Sequence, residues 1–367
     1  MSRILVTVIT GFLGSGKTTL LNRLLKHPDM AQAAVIVNEF GEIGIDYDLI
    51  ETSNETVIQL ENGCLCCTVK GDLIDTFRDL YLQRKGGQVP PFERVVIETT
   101  GIADPGPVLQ IVLTDPLVSA VYRLDGVVTM LDAVNGAGTL EQHAESVKQV
   151  AIADRIVLTK SDLADTPERR AALAALLEKV AALNPSAPVI TATRGAFDPS
   201  DLFGEGLVDA ETKRVDIENW LGAKAIATAG ARGVAMPASH HHDESSPFRN
   251  DSAHDPAIRS FCLVREQPVG IDMLRLFLEG IAREAGPDLL RVKGIVNVAE
   301  KPDTPAVIQG AQHLIHSLEW LERWPSDDRR TRIVFITRGI DQAHIEDSFA
   351  LVERVARRGA EIAGRAI

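Results

Sequence analysis

The sequence has little of what would place the chain in a membrane, outside the cell or on nucleic acid. Its apolar stretches are strand-length, as at residues 4–9, and none approaches the ~18–20 residues needed to span a bilayer. Basic residues do not dominate, because the formal net charge is −13, and this argues against nucleic acid as a general partner. A glycine-rich motif begins at Gly11, too early to follow a removable signal peptide. We therefore expect a cytoplasmic protein that contacts neither membrane nor nucleic acid.

Cysteine is also scarce, with four residues in 367. A chain of this length with 45% hydrophobic residues can bury a sizeable core without disulfides, and the length suits two domains. Three of the four cysteines lie together, at Cys64, Cys66 and Cys67. In a reducing cytoplasm such a cluster indicates a metal-binding or redox site rather than structural bridges.

Residues 1–220 alternate short runs rich in β-branched residues with longer amphipathic stretches. Seven runs have strand character: residues 4–9, 34–37, 57–60, 94–97, 126–131, 154–158 and 188–191. Alternation of this kind predicts a mostly parallel sheet with helices on both faces. The expected fold class is α/β, with residues 1–220 as the first domain.

Residues 221–257 have weak periodicity and are rich in Gly, Ala and Ser, which predicts a flexible linker or loop. Its tract His240, His241 and His242 leaves two interpretations open. The imidazoles bind a transition metal weakly, or the tract is an incidental part of a solvated loop. From residue 258, strand-like runs grouped between two helical patterns predict a smaller α+β domain at residues 258–367.

The motif G-x-x-x-x-G-K-[ST] is complete at residues 11–18, after an apolar strand and before a helical pattern. Its backbone amides would converge on phosphate oxygens at a helix N-terminus. Lys17 would supply a positive charge to the β- and γ-phosphates, and Thr18 a hydroxyl to Mg²⁺. The alternative is a glycine-rich turn with no ligand. The predicted phosphate-loop residues are Gly11, Gly14, Ser15, Gly16, Lys17, Thr18 and Thr19.

An acidic partner for Mg²⁺ is expected at the end of a nearby strand. The strand-like run at residues 94–97 is followed by Glu98, which can approach the ion directly or through water, and the Gly101 amide can turn toward the γ-phosphate. In the alternative interpretation Glu98 only caps the strand. Asp132, at the end of another strand, is a weaker competitor.

The motif Thr159, Lys160 and Asp162 follows the last but one predicted strand of this domain. An aspartate there can accept hydrogen bonds from N1–H and the N2 amino group of guanine, whereas adenine has no such donor pair. The stem of Lys160 can lie over the base plane. The alternative is a turn in which Asp162 is a helix N-cap.

Three thiolates within four residues suit Zn²⁺ and similar metals if the backbone turns, as Gly63 permits. A fourth ligand must come from elsewhere; Glu39 and Glu42 are the first candidates, and a histidine or a water is an alternative. A redox dithiol and buried structural cysteines are the competing interpretations.

Taken in order, these motifs resemble those of the CobW-type P-loop GTPases, which are metallochaperones. Residues 291–338 are similar to the family's C-terminal domain. The resemblance implies that GTP hydrolysis to GDP is coupled to delivery of a metal to a client protein, with the clustered cysteines as ligands. Relatives nearest by motif are associated with zinc or cobalt, so Zn²⁺ is expected first and Co²⁺ next.

Residues 38–46 lie in sequence where a switch segment would lie, between the phosphate loop and the cysteines. Order imposed by the γ-phosphate and Mg²⁺ would present Glu39 or Glu42 to the metal and link the two affinities. The residues considered for catalysis are Lys17, Glu98 and Asp46, the last two as candidates for the base. Intrinsic turnover should be slow because the sequence shows no evident arginine finger.

Other functions stay open at this point. The chain could be a metal buffer or sensor that is independent of nucleotide, a cobalt chaperone for cobalamin synthesis, or a small-molecule kinase. A kinase is disfavoured because it gains little from a guanine-selective motif. The physiological metal, the client and a homo-oligomeric state are not determined by the sequence.

Overall fold

A computed structural model of the chain shows two sheets with helices packed on them. It describes residues 3–27, 30, 32–38, 57–60, 69–192, 202–203, 221, 233–234, 258–311, 314–315 and 318–364. Within these ranges, no helix combines the length and the apolar character that crossing a lipid bilayer requires.

The first sheet has seven strands, and every neighbouring pair is parallel. The strands are β1 (Ile4–Gly11), β2 (Ala33–Asn38), β3 (Val57–Leu60), β4 (Arg94–Glu98), β5 (Tyr122–Asp132), β6 (Arg155–Thr159) and β7 (Val189–Thr191). Their order across the sheet is β3-β2-β4-β1-β5-β6-β7. The central strands are apolar along most of their length because both faces are covered. The sheet therefore brings the carboxyl ends of all seven strands to one edge.

In the described part of the chain seven helices lie between these strands, and local chemistry explains where some of them begin. They are α1 (Lys17–Leu25), α2 (Val69–Lys85), α3 (Gly106–Thr114), α4 (Pro116–Val121), α5 (Gly136–Gln142), α6 (Ala144–Ile152) and α7 (Pro167–Leu183). The Asp115 carboxylate caps α4 by accepting the amides of Leu117 and Val118. Pro116 then occupies the first helical position, where its missing N–H costs nothing.

A buried core lies on each face of the parallel sheet. On one face Val6 and Val8 of β1 belong to a cluster that includes residues of α2, α3 and α6. On the other face Ile9 packs with Leu21 and Leu24 of α1. Cores on both sides hold the strand ends in place, so side chains at the carboxyl edge have a rigid base.

The second sheet is antiparallel and two helices cover one of its faces. Its strands are β8 (Gly233–Val234), β9 (Ile258–Arg265), β10 (Leu289–Val296), β11 (Ala306–Ala311), β12 (Leu314–Ile315), β13 (Glu319–Trp320) and β14 (Thr331–Arg338), and its helices are α8 (Ile271–Ala285) and α9 (Gln342–Gly364). The order is β12-β11-β10-β14-β9-β8, with β13 beside β11. Phe277 of α8 lies edge-on to Phe335 of β14 and Phe349 of α9. The predicted fold class, a mostly parallel α/β domain with a smaller α+β domain, is confirmed.

The opposite face of the antiparallel sheet rests on the parallel-sheet domain. Asp154, just before β6, forms ion pairs with Arg291 and Lys293 of β10, and all three side chains are at least 90% buried. The Ser260 hydroxyl of β9 donates to the Leu183 carbonyl at the end of α7, 3.1 Å away. Burial acts to raise the pKa of Asp154, but the two cations outweigh it and hold the pKa well below the ordinary value.

Candidate functional site

The phosphate-loop motif connects the end of β1 to the start of α1, as the sequence predicts. Gly11 has φ 141°, and a Cβ placed on it would lie 2.5 Å from the Met130 carbonyl oxygen. Gly14 and Gly16 also have positive φ, at 70° and 94°. These values suit glycine, and the residues between β1 and α1 form a tight turn at the helix N-terminus.

Side chains of the loop are placed to meet a phosphate and its cation. The Lys17 ammonium donates to the Phe12 carbonyl at 3.1 Å, so it lies folded over the loop. The Thr18 hydroxyl donates to Oε1 of Glu98 at 3.0 Å, and Glu98 is 5% exposed. The buried Ser15 hydroxyl has no hydrogen-bond partner among the described residues. A hydroxyl and a carboxylate side by side are oxygen ligands of the type that Mg²⁺ takes, so the residues fit a magnesium nucleotide.

The turn after β4 is held tightly against the loop. The Thr99 hydroxyl donates to the Thr10 hydroxyl at 2.8 Å. A Cβ added to Gly101 would lie 2.7 Å from the Leu13 amide nitrogen and 2.8 Å from its Cα. The Gln149 amide of α6, fully buried, donates to the carbonyls of Gly101 and Ala103. Gly101 thus lies in contact with the phosphate loop, where only a residue without a side chain fits.

The turn after β6 joins the other side of the loop. The Thr159 hydroxyl donates to the Ser15 carbonyl at 2.8 Å. Lys160 has φ 57° and is the one described non-glycine residue with positive φ. Its ammonium donates to the Gly14 carbonyl at 2.9 Å and to Oδ2 of Asp132 at 2.7 Å.

A cavity of about 200 Å³ opens between this turn and α1. Its lining comprises Gly16, Thr19, Leu20, Arg23, Met130, Thr159, Lys160, Asp162 and Ala192. The lining combines Gly16 of the phosphate loop, the apolar side chains of Leu20, Met130 and Ala192, and the acceptor Asp162. Such a lining suits a purine attached to a phosphate chain.

Asp162 does not act as the N-cap of a helix, the alternative considered from the sequence. It lies inside the 3₁₀ turn Ser161–Leu163, and the next helix, α7, is capped by Thr166, whose hydroxyl accepts the Arg169 amide. The Asp162 side chain is exposed and borders the cavity, and is therefore available to a ligand.

Asp132 lies at the end of β5, but both of its carboxylate oxygens accept hydrogen bonds from neighbouring residues instead of facing a site for Mg²⁺. Oδ1 accepts the amides of Val134 and Asn135 at 2.8 and 3.1 Å. Oδ2 accepts Nδ2 of Asn135 at 3.0 Å and the Lys160 ammonium. Between the two acidic candidates for Mg²⁺, the structure places Glu98 beside Thr18 and pairs Asp132 with Lys160.

The predicted metal ligands Cys64, Cys66 and Cys67, their proposed partners Glu39 and Glu42, the catalytic candidate Asp46 and the tract at residues 240–242 lie outside the described residues. Among the residues that are described, no group of three or more His, Cys, Asp or Glu side chains could hold a metal ion. The strands that precede two of the segments outside the described residues, 39–56 and 61–68, are described and locate the points at which these two segments start.

Both segments begin at the carboxyl edge of the parallel sheet. Val37 of β2 pairs with Glu98 of β4, and Asn38 pairs with Leu60 at the end of β3. Residue 39 therefore follows a strand whose end is adjacent to Glu98, and residue 61 follows the strand beside it. The order β3-β2-β4-β1 places the ends of β2 and β3 on the side of the phosphate loop on which Glu98 lies.

Two residues that sequence reasoning did not single out, Gln149 and Arg23, contribute to the site, and Asp132 contributes in a role other than the one considered from the sequence. Gln149 holds the turn at Gly101, Asp132 holds Lys160, and Arg23 lines the cavity one helical turn after Thr19. Arg23 was accessible to prediction, because i and i+4 share a helix face. The other two depend on the packing of α6 and on the register between β5 and β6, and no sequence motif signals them.

Comparison with known proteins agrees with this geometry. The model for the CobW/HypB/UreG nucleotide-binding domain matches residues 5–191. The model for the cobalamin synthesis protein cobW C-terminal domain matches residues 258–352. The chain is 34% identical over 350 residues to the zinc chaperone YjiA of Escherichia coli (strain K12), covering 95% of this chain and 99% of that protein.

A second relative and a solved structure extend the similarity over most of the chain. The zinc chaperone CobW of Pseudomonas aeruginosa is 30% identical over 378 residues, covering 94% of this chain and 90% of that protein. The crystal structure of Zn(II)-bound YjiA GTPase from E. coli matches with a TM-score of 0.64 at 30% identity. It covers 96% of this chain and 99% of the solved chain.

Proposed function

The chain belongs to the CobW family of P-loop GTPases, as its motifs predicted, and we propose that it is a GTP-hydrolysing chaperone that carries zinc to a client protein. The observation that carries the proposal is the 3.0 Å hydrogen bond between Thr18 and Glu98. It lies at the sheet edge where β2, the strand before residue 39, also ends. At this position a magnesium nucleotide and the segment leading to the cysteines would meet.

In this proposal GTP binds with its phosphates at the phosphate loop beside Glu98 and its base at Asp162. The amides of Gly14, Ser15 and Gly16 face the phosphates, Lys17 turns from the Phe12 carbonyl to the β- and γ-phosphates, and Thr19 borders the cavity beside them. Asp162 accepts from N1–H and the N2 amino group of guanine. An adenine there would leave the carboxylate without its donors, which is why GTP is preferred to ATP.

Hydrolysis uses the groups around the γ-phosphate. Mg²⁺, when bound by Thr18 and Glu98, supplies charge stabilisation to the phosphates. Lys17 adds a positive charge on the same oxygens, and the Gly101 amide, fixed by Gln149, donates to the γ-phosphate. Glu98 and Asp46 are the two candidates for the base that orients water. Turnover without metal or client is slow, since the sequence shows no evident arginine finger.

The cargo is bound by thiolates of Cys64, Cys66 and Cys67, with Glu39 or Glu42 as the fourth ligand. Zinc is proposed as the metal because the thiolate set suits it and because relatives over most of the chain are named zinc chaperones. Cobalt accepts the same ligands. Reduced thiols are needed to bind the metal, which supports a cytoplasmic site of action.

Within this proposal residues 1–220 form the GTPase domain, residues 221–257 a linker and residues 258–367 a second, smaller domain. The family's C-terminal model covers most of that last part. The client must contain a site that takes zinc in the final step. Whether the chain acts as a homo-oligomer is decided by its mass in the GTP-bound and GDP-bound states.

Competition between Zn²⁺ and Co²⁺ tests the proposed cargo. Wild type and Cys66→Ala would be titrated with each metal and a chelating indicator, with GDP bound throughout. We expect wild type to take one tightly bound zinc and Cys66→Ala to lose it while keeping its GDP affinity. The matched control Cys262→Ala, in β9, should bind zinc like wild type. Preference for cobalt over zinc would favour the cobalt chaperone, and equal zinc binding by Cys66→Ala would contradict the proposed ligands.

A further inference from the structure

Lys160 holds a conformation that a lysine does not adopt without support. Its φ of 57° lies in the left-handed region, which costs free energy for any residue with a Cβ. Its side chain is 38% exposed, so burial alone does not fix it. Two hydrogen bonds from the ammonium, to the Gly14 carbonyl and to Asp132, restrain the head. Lys160 also lines the cavity.

Asp132 is built to hold that ammonium. Its side chain is 10% exposed and accepts four hydrogen bonds, of which Lys160 contributes one at 2.7 Å. Burial acts to raise its pKa, but the bonds from Lys160, Asn135 and the Val134 amide outweigh burial and lower the pKa below its ordinary value. The carboxylate is therefore charged at neutral pH and faces a charged ammonium.

The position of Asp132 in the sheet explains how it reaches Lys160. Asp132 ends β5, and its register partner in β6 is Thr159, the residue before Lys160. The Ala133 amide also donates to the Thr159 carbonyl at 2.9 Å. The ends of β5 and β6 are thus tied by backbone as well as by the ion pair, and Asp132 itself does not line the cavity.

We propose that Asp132 is a positioning residue for nucleotide recognition, which fixes the Lys160 side chain as the flat support for the purine ring. The inference rests on the proposed GTP binding and adds a residue that touches no ligand. A lysine stem has four rotatable bonds, so without Asp132 the support is disordered before the base arrives. Binding must then order it, and affinity falls.

The competing interpretation is that Asp132 only holds the turn before α5, by accepting the Val134 and Asn135 amides. Asp132→Asn separates the two roles. The Asn oxygen still accepts the two backbone amides, whereas its NH₂ group now faces the Lys160 ammonium and cannot accept from it. Asn135→Ala is the matched control, because it removes the Asn135 side-chain bond to Asp132 and leaves the Lys160 pair intact.

The test measures Kd for GDP, for inosine diphosphate (IDP) and for ADP by calorimetry, on wild type, Asp132→Asn, Lys160→Met, the double variant and Asn135→Ala. Asp132→Asn should weaken GDP and IDP by the same factor, about three- to tenfold, with one site per chain retained. The support acts on the ring face and not on the N2 amino group, so the GDP-to-IDP ratio should not change. Lys160→Met should lose as much GDP affinity as Asp132→Asn. The double variant should bind GDP no more weakly than Lys160→Met does, and Asn135→Ala should bind GDP as tightly as wild type.

Additive losses of GDP affinity in the double variant, or an equal loss in Asn135→Ala, would assign Asp132 to the turn before α5 and overturn the inference. Unchanged GDP affinity in Asp132→Asn would do the same while leaving the proposed GTP binding intact. If instead wild type bound ADP as tightly as GDP, the proposed function itself would fail. Should Asp132→Asn not fold, Lys160→Met still tests the pair. The Lys160 side chain is partly exposed, and changing it leaves the turn before α5 untouched.

Discussion

Val37 of β2 pairs in parallel with Glu98 of β4, so β2 ends beside the strand whose last carboxylate accepts the Thr18 hydroxyl. This adjacency gives the proposed coupling a physical route. In the proposed arrangement a γ-phosphate and its cation bind on one side of Glu98, and β2, the strand that precedes residue 39, ends on the other side.

Loss of the Glu98 charge should slow hydrolysis without removing the nucleotide. In Glu98→Gln the amide oxygen can still accept from Thr18, but the negative charge that would hold Mg²⁺ is gone. We expect kcat for GTP to fall about 100-fold, with GDP affinity in the absence of Mg²⁺ unchanged. The matched control is Glu93→Gln, an exposed residue at the other end of β4. Wild-type kcat in Glu98→Gln would show that Glu98 acts only as a strand cap.

A methyl group at Gly101 should separate the turn from the phosphate loop. Because the added Cβ would lie under 3 Å from backbone atoms of Leu13, the backbone must move, and the Gly101 amide moves with it. GTPase assays should show kcat lowered about tenfold or more in Gly101→Ala. Gly138→Ala in α5, where an added Cβ would have no neighbour within 4 Å, should retain wild-type kcat. Full activity of Gly101→Ala would contradict the tight contact.

The hydrogen-bonding pattern of Asp162 can be reversed. Xanthine has a carbonyl in place of the N2 amino group of guanine, and the NH₂ group of an asparagine can donate to it. Asp162→Asn should therefore bind GDP about 100-fold more weakly and gain affinity for xanthosine diphosphate. Calorimetric titration checks both values. Asp165→Asn, three residues further on and exposed, should keep GDP selectivity. A uniform loss for both nucleotides in Asp162→Asn would place the base elsewhere.

The ion pairs of Asp154 should stabilise the contact between the two sheets. Asp154→Asn would leave Arg291 and Lys293 buried without their counter-charge, at a cost of about 3–5 kcal/mol in the free energy of unfolding. Urea denaturation measures this loss of free energy. The control is Asp303→Asn, in the exposed pair with Arg329, which should change the free energy of unfolding little.

The same carboxylate predicts a pH dependence. The folded-state pKa of Asp154 is depressed, so its contribution is fully present above the unfolded-state value of about 3.9 and is lost as pH falls toward the folded-state value. Between pH 5 and pH 3, roughly the window that brackets this value, Asp154→Asn should lose less stability than wild type. Parallel acid profiles for the two proteins would show that Asp154 is not held ionised by β10.

Much of the fold was predictable because its determinants are local. Buried parallel strands are apolar runs, and the motif at residues 11–18 has one structural context, between β1 and α1. Asp162 was identified through its position after a late strand. The Asp132–Lys160 pair was not predictable, because it depends on how β5 and β6 align and on a left-handed residue that no propensity favours. Gln149 reaches Gly101 from α6, 48 residues away in sequence, which local patterns cannot encode.

The proposed metal ligands rest on residue chemistry and on the family resemblance, and Cys64, Cys66, Cys67, Glu39 and Glu42 lie outside the described residues. The flanking strands support their placement only to the extent that β2 and β3 end at the edge where β4 presents Glu98. This is why the coupling between nucleotide and metal needs a measurement in solution.

The most direct measurement is the ratio of two zinc dissociation constants, one with GDP bound and one with a non-hydrolysable GTP analogue. If the nucleotide state is transmitted across the Val37–Glu98 contact to Glu39 or Glu42, the analogue should tighten zinc binding by about 5- to 150-fold. Glu39→Gln with Glu42→Gln should bring the ratio to one. Equal zinc affinities in the two nucleotide states of wild type would contradict the coupling and leave a metal buffer that is independent of GTP.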